Sequence, residues 1–184
     1  MSQLTELSEE EALDIELSFP IREYQKGSYL LREGQLAVNS YFVVKGCIRE
    51  FILQDGEEKT TEFYTEHAAI ADFHSQFNNF PSRKNLVCIE DTIVTSLNKE
   101  KEEKLYEKYP RFETFCRAGM EQMMGGEQER LSKWILMGPE ERYLSLLKEK
   151  PELPNRVPQY QLASYLGITP ETLSRIRKRL SRRK

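Results

Sequence analysis

Two histidines and three cysteines are all that 184 residues offer of the side chains that most often hold metals or pair as disulfides. Cys47, Cys88 and Cys116 stand far apart. This odd, scattered set has neither a disulfide framework nor the close pairs of a tetrahedral metal site. Buried thiols of a reduced compartment are expected. His67 and His74 lie seven residues apart with no H-x-H motif, so they read as surface or core residues rather than haem or metal ligands. No metal site and no certain cofactor are expected. No phosphate-binding glycine loop and no nucleophile elbow occurs, which argues against an enzyme. No apolar run reaches the roughly 18 residues of a membrane-spanning helix. The acidic, polar start Met1-Ser2-Gln3-Leu4-Thr5-Glu6 lacks the basic and apolar regions of a signal peptide. A cytoplasmic protein with no membrane partner is the expectation.

What the chain does contain is 39% hydrophobic and 31% charged residues, enough apolar content for one or two small folded domains. The charge is segregated. Residues 154–184 hold eight basic residues, Arg156, Arg175, Arg177, Lys178, Arg179, Arg182, Arg183 and Lys184, against the single acid Glu171, a net +7. With −3 overall, the other 153 residues carry −10. A basic module on an acidic body points to a phosphate-bearing partner, although a solvated basic tail would show the same count.

Residues 8–17 read as a helix opened by a capping box, Ser8 with Glu11, and given apolar surface by Ala12, Leu13, Ile15 and Leu17. Residues 21–98 change character. Tyr29-Leu30-Leu31, Tyr41-Phe42-Val43-Val44, the stretch from Cys47 to Leu53, and Ile93-Val94-Thr95 are separated by Lys26-Gly27, Glu33-Gly34, Lys45-Gly46 and Asp55-Gly56. Short strands broken by turns at this spacing predict an antiparallel barrel or sandwich, with Asp55-Gly56 a hairpin turn. Residues 99–136 return to a helical period through Phe112, Cys116, Gly119, Met123, Leu131 and Trp134-Ile135. The pair Gly125-Gly126 interrupts it, and a bend or a close helix contact is expected there. Gly138-Pro139 opens another helix that ends before Pro151, and the three prolines between Pro151 and Pro158 read as a connector.

The most informative stretch is residues 159–180. Leu162, Ala163 and Leu166 form one face of a short helix, ended by Gly167, which takes a left-handed conformation cheaply. Thr169 can cap the next helix, with Pro170 in its first turn and Leu173, Ile176 and Leu180 as its apolar face. This is a helix-turn-helix pattern, whose second helix enters the DNA major groove. Glu171, Ser174, Arg175 and Lys178 project together from the opposite face. An arginine there can contact guanine and a glutamate can accept from the cytosine amino group, while Thr169, Thr172 and Lys178 suit phosphate oxygens. An ordinary helical hairpin with a charged outer face is the bland alternative.

At these residues the chain resembles the Crp/Fnr family of transcription regulators, over nearly its whole length. Leu166-Gly167-Ile168-Thr169-Pro170-Glu171-Thr172-Leu173-Ser174-Arg175-Ile176 matches the family's recognition segment. The family's glutamate and arginine base readers fall on Glu171 and Arg175, and a further arginine reader of some members falls on Pro170, so site preference should differ. Lys26-Gly27, Arg32-Glu33-Gly34, the run from Tyr41 to Gly46 and Asp55-Gly56-Glu57 sit where the family's sensor barrel has its turns and strands. The resemblance implies an α+β protein. Its parts would be an antiparallel β-roll or jelly-roll sensor barrel over 1–110, a long dimerisation helix over 111–136, and a winged-helix-like helix-turn-helix over 137–184. It also implies a homodimer, with Phe115, Met120, Met123 and Met124 as seam candidates, a double-stranded DNA operator, and RNA polymerase as a further partner. Cyclic-nucleotide binders of the family use Gly-Glu followed later by Arg-Ser-Ala. The corresponding stretch here is Ala71-Asp72, then Arg83-Lys84-Asn85. The acid is shorter and Ser-Ala is replaced by Lys-Asn, so Asp72, Arg83 and Lys84 mark a candidate effector pocket for a small anion, with cyclic AMP not expected. The cysteine cluster of the oxygen-sensing branch is absent.

Two other readings stay open on sequence alone: a cupin-like barrel enzyme, and a cyclic-nucleotide-sensing protein that binds no DNA. Salt-weakened binding to DNA separates the first reading from both.

Overall fold

The computed structural model describes residues 7–182. The polar start Met1–Glu6 and two of the basic residues, Arg183 and Lys184, lie outside them. Helix α1 (Glu9–Ser18) opens with the capping box: Ser8 Oγ accepts from Glu11 N at 3.2 Å and Ser8 N donates to Glu11 Oε2 at 2.8 Å. Its Leu13 and Leu17 stay exposed, and no residue of α1 is buried. The helix is held by charge instead, through Lys108 Nζ to Asp14 Oδ2 at 2.6 Å and an ion pair of Arg111 with Glu11.

Eight strands follow: β1 (Ile21–Tyr24), β2 (Tyr29–Leu31), β3 (Asn39–Lys45), β4 (Ile48–Gln54), β5 (Glu57–Tyr64), β6 (Ala69–Ile70), β7 (Asn85–Cys88) and β8 (Thr92–Asn98). Helix α2 (Phe73–Asn78) lies between β6 and β7. They form two antiparallel four-stranded sheets, ordered β1-β8-β3-β6 and β2-β7-β4-β5. That order is an eight-stranded jelly roll. The β4–β5 hairpin turns at Asp55 (φ 52°) and Gly56 (φ 80°), the positive angles that a two-residue primed turn needs. Inside the barrel Leu31, Tyr41, Val43, Ile48, Ile70, Leu86, Cys88 and Val94 form one core. Strand β5 opens on three charged residues and lacks a regular apolar alternation. Its sequence Glu-Glu-Lys-Thr-Thr-Glu-Phe-Tyr pairs with β4 along its length and buries only Thr60 and Phe63.

The helical stretch predicted over 99–136 is two helices, α3 (Lys99–Lys108) and α4 (Pro110–Leu136). Tyr109 breaks it with φ −133° and ψ 79°, because a residue before proline is pushed out of the helical region. Gly125 and Gly126, by contrast, do not interrupt α4, and neither approaches another element: an added Cβ would meet nothing within 4 Å. The 151–158 connector also holds a helical turn, α6 (Leu153–Arg156), between α5 (Pro139–Glu149) and the helix-turn-helix. The latter consists of α7 (Gln159–Leu166) and α8 (Pro170–Ser181). Among the described residues no strand lies beyond Asn98, so the C-terminal unit carries no hairpin wing.

A second core joins the two halves of the chain. Cys47, Phe63 and Ile89 on the barrel pack with Tyr143, Leu146, Leu153, Val157, Leu162, Ala163, Leu166, Leu173 and Ile176. Of the three thiols, Cys47 and Cys88 are buried as expected, and burial pushes Cys47 up to about 12, which makes it inert. Cys116 on α4 is only half-buried.

Candidate nucleic-acid interface

The helix-turn-helix is built by local rules. Gly167 ends α7 at φ 70°, its N–H donating to Ser164 O at 3.1 Å. Thr169 caps α8, its Oγ1 accepting from Thr172 N at 3.2 Å, and Pro170 fills the first helical position. Leu173 and Ile176 are buried against α7 and the rest of the second core. That fixes which face of α8 looks outward. Glu171, Ser174, Arg175 and Lys178 are all exposed on it, whereas Thr172 is half-buried with its hydroxyl 3.2 Å from Thr169 Oγ1. The Glu171 carboxyl is held below the usual carboxylate range, first by its own backbone N–H at the helix start, then by the Thr169 hydroxyl and the Arg175 charge. It is therefore an ionised acceptor at neutral pH.

Not every basic residue of the C-terminal segment is without an acidic partner. Arg156 is engaged with the barrel: its Nη1 and Nη2 donate to the two oxygens of Glu66 at 2.8 Å each, and it also pairs with Glu90. Arg179 pairs with Glu140 of α5. Arg175, Arg177 and Lys178 on α8 and Arg182 at its C-cap are also exposed. Around Arg156 a wider clamp ties the unit to strand β5. Lys150 Nζ reaches Glu62 Oε1 at 2.8 Å and Phe63 O at 2.6 Å. Arg130 Nη2 reaches Glu62 Oε2 at 3.0 Å, Ser164 Oγ accepts from Thr60 N at 3.0 Å, and Tyr165 meets Phe63 edge-on at 5.6 Å. Arg142 closes the helix-turn-helix from behind, its Nη1 donating to Leu166 O at 3.3 Å and its Nε to Trp134 O at 3.3 Å. None of these residues was legible as functional. Their partners lie 24 to 104 positions away, apart from Trp134, eight away, and local pattern cannot pair such residues.

Of the three candidate pocket residues in the barrel, Asp72 borders a cavity. This cavity, of about 470 Å³, is lined by Leu30, Leu31, Leu36, Val38, Tyr41, Ile70 and Leu86, with Gln35, Asn39 and Asp72 as its polar neighbours. Asp72 caps α2, accepting from Ser75 N at 3.3 Å and from Ser82 Oγ at 2.6 Å. Lys84 forms an ion pair with the buried Glu50 at 3.1 Å. Arg83 is exposed. The two cations do not line the cavity.

Comparison with known proteins then decides the family. A cyclic nucleotide-binding domain matches residues 21–109, and a Crp-like helix-turn-helix domain matches residues 129–184. The chain belongs to the Crp/Fnr family. This Crp/Fnr protein is a DNA-binding transcription regulator. No curated protein matches it in sequence. Several solved structures share its fold. The catabolite activator protein of Thermus thermophilus is 22% identical with a TM-score of 0.56, covering 97% of this chain and 86% of that one. FixK2 of Bradyrhizobium japonicum is 21% identical with a TM-score of 0.71, covering 90% and 85%. The c-di-GMP-responsive global regulator CLP of Xanthomonas campestris is 15% identical with a TM-score of 0.71, covering 95% and 92%. Family members act as regulators rather than enzymes. No helix among the regulator's described residues is long and apolar enough to cross a membrane.

Proposed function

We propose that the regulator binds operator DNA as a homodimer in the cytoplasm, laying α8 of each subunit in the major groove of one half-site. The carrying observation is the outward face of α8: Glu171, Ser174, Arg175 and Lys178 exposed on a helix whose other face is buried. Arg175 and Glu171, one turn apart, read base edges. Lys178, Ser174, and Thr169 and Thr172 at the positive helix start, hold phosphates. Dimerisation rests on α4, where Phe115, Met123, Met124, Leu131 and Ile135 stand exposed on a long helix that buries only Phe112. Two such helices packed together would place the recognition helices about one DNA turn apart. The breaks at Tyr109 and after Leu136 support a sensor barrel over 1–110, a dimerisation helix over 111–136 and a DNA-binding unit over 137–184. The barrel answers to a small-molecule effector, and RNA polymerase is the partner through which transcription changes.

The test is fluorescence anisotropy with labelled duplexes of about 30 base pairs, long enough for two half-sites. Binding whose logarithm falls linearly with the logarithm of salt concentration supports the reading. Absence of binding at low salt refutes it.

A further inference from the structure

We infer that the barrel cavity takes a neutral, largely apolar small molecule with one hydrogen-bond donor, and not an anion. This rests on the reading of the barrel as an effector domain and names the chemical class it senses. A phosphate or carboxylate in the cavity needs a cation beside it, because an unpaired buried charge is expensive. Of the two cations expected at the pocket, Lys84 is tied to Glu50 at 3.1 Å, and that carboxylate also accepts from Thr61 Oγ1 at 2.7 Å and Tyr64 OH at 3.1 Å. Glu50 sits opposite Leu86 across the β4–β7 pair, so the two share a face of the sheet, and Leu86 lines the cavity. The pair therefore brings no net positive charge to the barrel interior. Arg83 is exposed and lines no part of the cavity. The one charged group that does line it is Asp72, an acid whose charge repels an anion.

The walls point to the positive half of the inference. Leu30, Leu31, Tyr41, Ile70 and Leu86 supply an apolar surface, and the Tyr41 hydroxyl is engaged with Leu30 O at 3.2 Å. Leu36 and Val38 at the rim are 45% and 62% exposed, apolar surface that a ligand entering the cavity would cover. A cavity of about 470 Å³ suits a small organic ligand. Asp72 keeps further acceptor capacity on both oxygens beyond the bonds from Ser75 N and Ser82 Oγ, which suits one N–H or O–H of the ligand.

The probe is N-phenyl-1-naphthylamine, neutral, apolar, with a single N–H, and fluorescent on leaving water. With the full-length protein we expect saturable fluorescence enhancement with one site per chain. Millimolar cyclic AMP should leave it unchanged, and Leu36→Glu, a change at an exposed position, should weaken it at least about tenfold. Thermal melting of the variant by circular dichroism shows that it is folded, and Val38→Glu provides a second rim variant. Displacement of the probe by micromolar cyclic AMP overturns the inference. So does enhancement that both rim variants leave intact, because the probe then sits elsewhere, and so does the absence of saturable binding. DNA binding of the same preparation is measured alongside. Probe binding without DNA binding would sink the regulator reading and leave the cavity chemistry standing.

Discussion

Replacing Arg156 with alanine removes the centre of the clamp between barrel and DNA-binding unit. Arg156 is 23% exposed and Glu66 35%, and the bidentate pair at 2.8 Å is reinforced by Glu90. The Arg156 hydrogen bonds, opposed by burial and helped by backbone N–H groups including that of Gly46, bring the Glu66 carboxyl from 4.5 to about 2. For a fully desolvated group that difference corresponds to roughly 3 kcal/mol. With a third of Glu66 open to solvent, and with backbone donors that survive the substitution, the loss is about 1–2 kcal/mol. The pH dependence has a definite sign. The folded-state value is depressed, so the contribution is complete above the unfolded value of 4.5 and disappears as pH falls toward 2. Urea unfolding followed by the fluorescence of Trp134, the single tryptophan, reports on this junction because Trp134 packs on Tyr165 at 5.3 Å. Wild type should exceed Arg156→Ala by about 1–2 kcal/mol at neutral pH, and the gap should close between about pH 5 and pH 2. A gap that is absent at neutral pH, or that stays constant across that range, would refute the reasoning.

Gly46→Ala should destabilise the barrel by roughly 2–4 kcal/mol, read as a lower urea midpoint. Gly46 has φ 107°, and a Cβ there would lie 2.7 Å from Thr92 Cα and 2.9 Å from Asp91 O, backbone atoms that cannot swing away. Sedimentation should show a species of twice 21.7 kDa at micromolar concentration, and Met124→Glu, on the exposed face of α4, should shift it toward the monomer. A wild type that remains monomeric contradicts the proposed role of α4. Lys178→Ala should weaken binding to all DNA sequences alike and lower the salt slope by about one unit; an unchanged slope would remove Lys178 from the phosphate contacts.

The parts of the fold that were legible in the sequence are those decided within a few residues. Thr169, Pro170 and Gly167 specify cap, first turn and left-handed stop by their own chemistry, and the structure has each in that role. The same holds for Ser8 with Glu11 and for Asp55-Gly56. The break at Tyr109 was available from the steric rule for residues before proline, but residues 99–136 read as one helical stretch. Strand β5 was hidden because four of its eight residues are charged, and it becomes a strand through pairing with β4. The basic count of the C-terminal segment was legible, yet its division was not. Arg156 turns inward to Glu66 and Glu90, Arg179 pairs with Glu140 while staying exposed, and only tertiary proximity assigns those partners. The candidate pocket shows the same limit. Asp72, Arg83 and Lys84 sit close in sequence, but the helix cap takes Asp72, Glu50 takes Lys84, and Arg83 is left exposed.

The most direct test of the regulator's recognition surface is binding of wild type and Arg175→Ala to an operator selected from a random library and to unselected DNA. Arg175 is exposed on α8, one turn from Glu171 and opposite the buried Leu173 and Ile176. The account predicts a loss of about 1–3 kcal/mol at the operator, relaxed preference at one base pair, and little change on unselected DNA. An equal loss on both DNAs would make Arg175 a phosphate contact and contradict the base-reading face of α8.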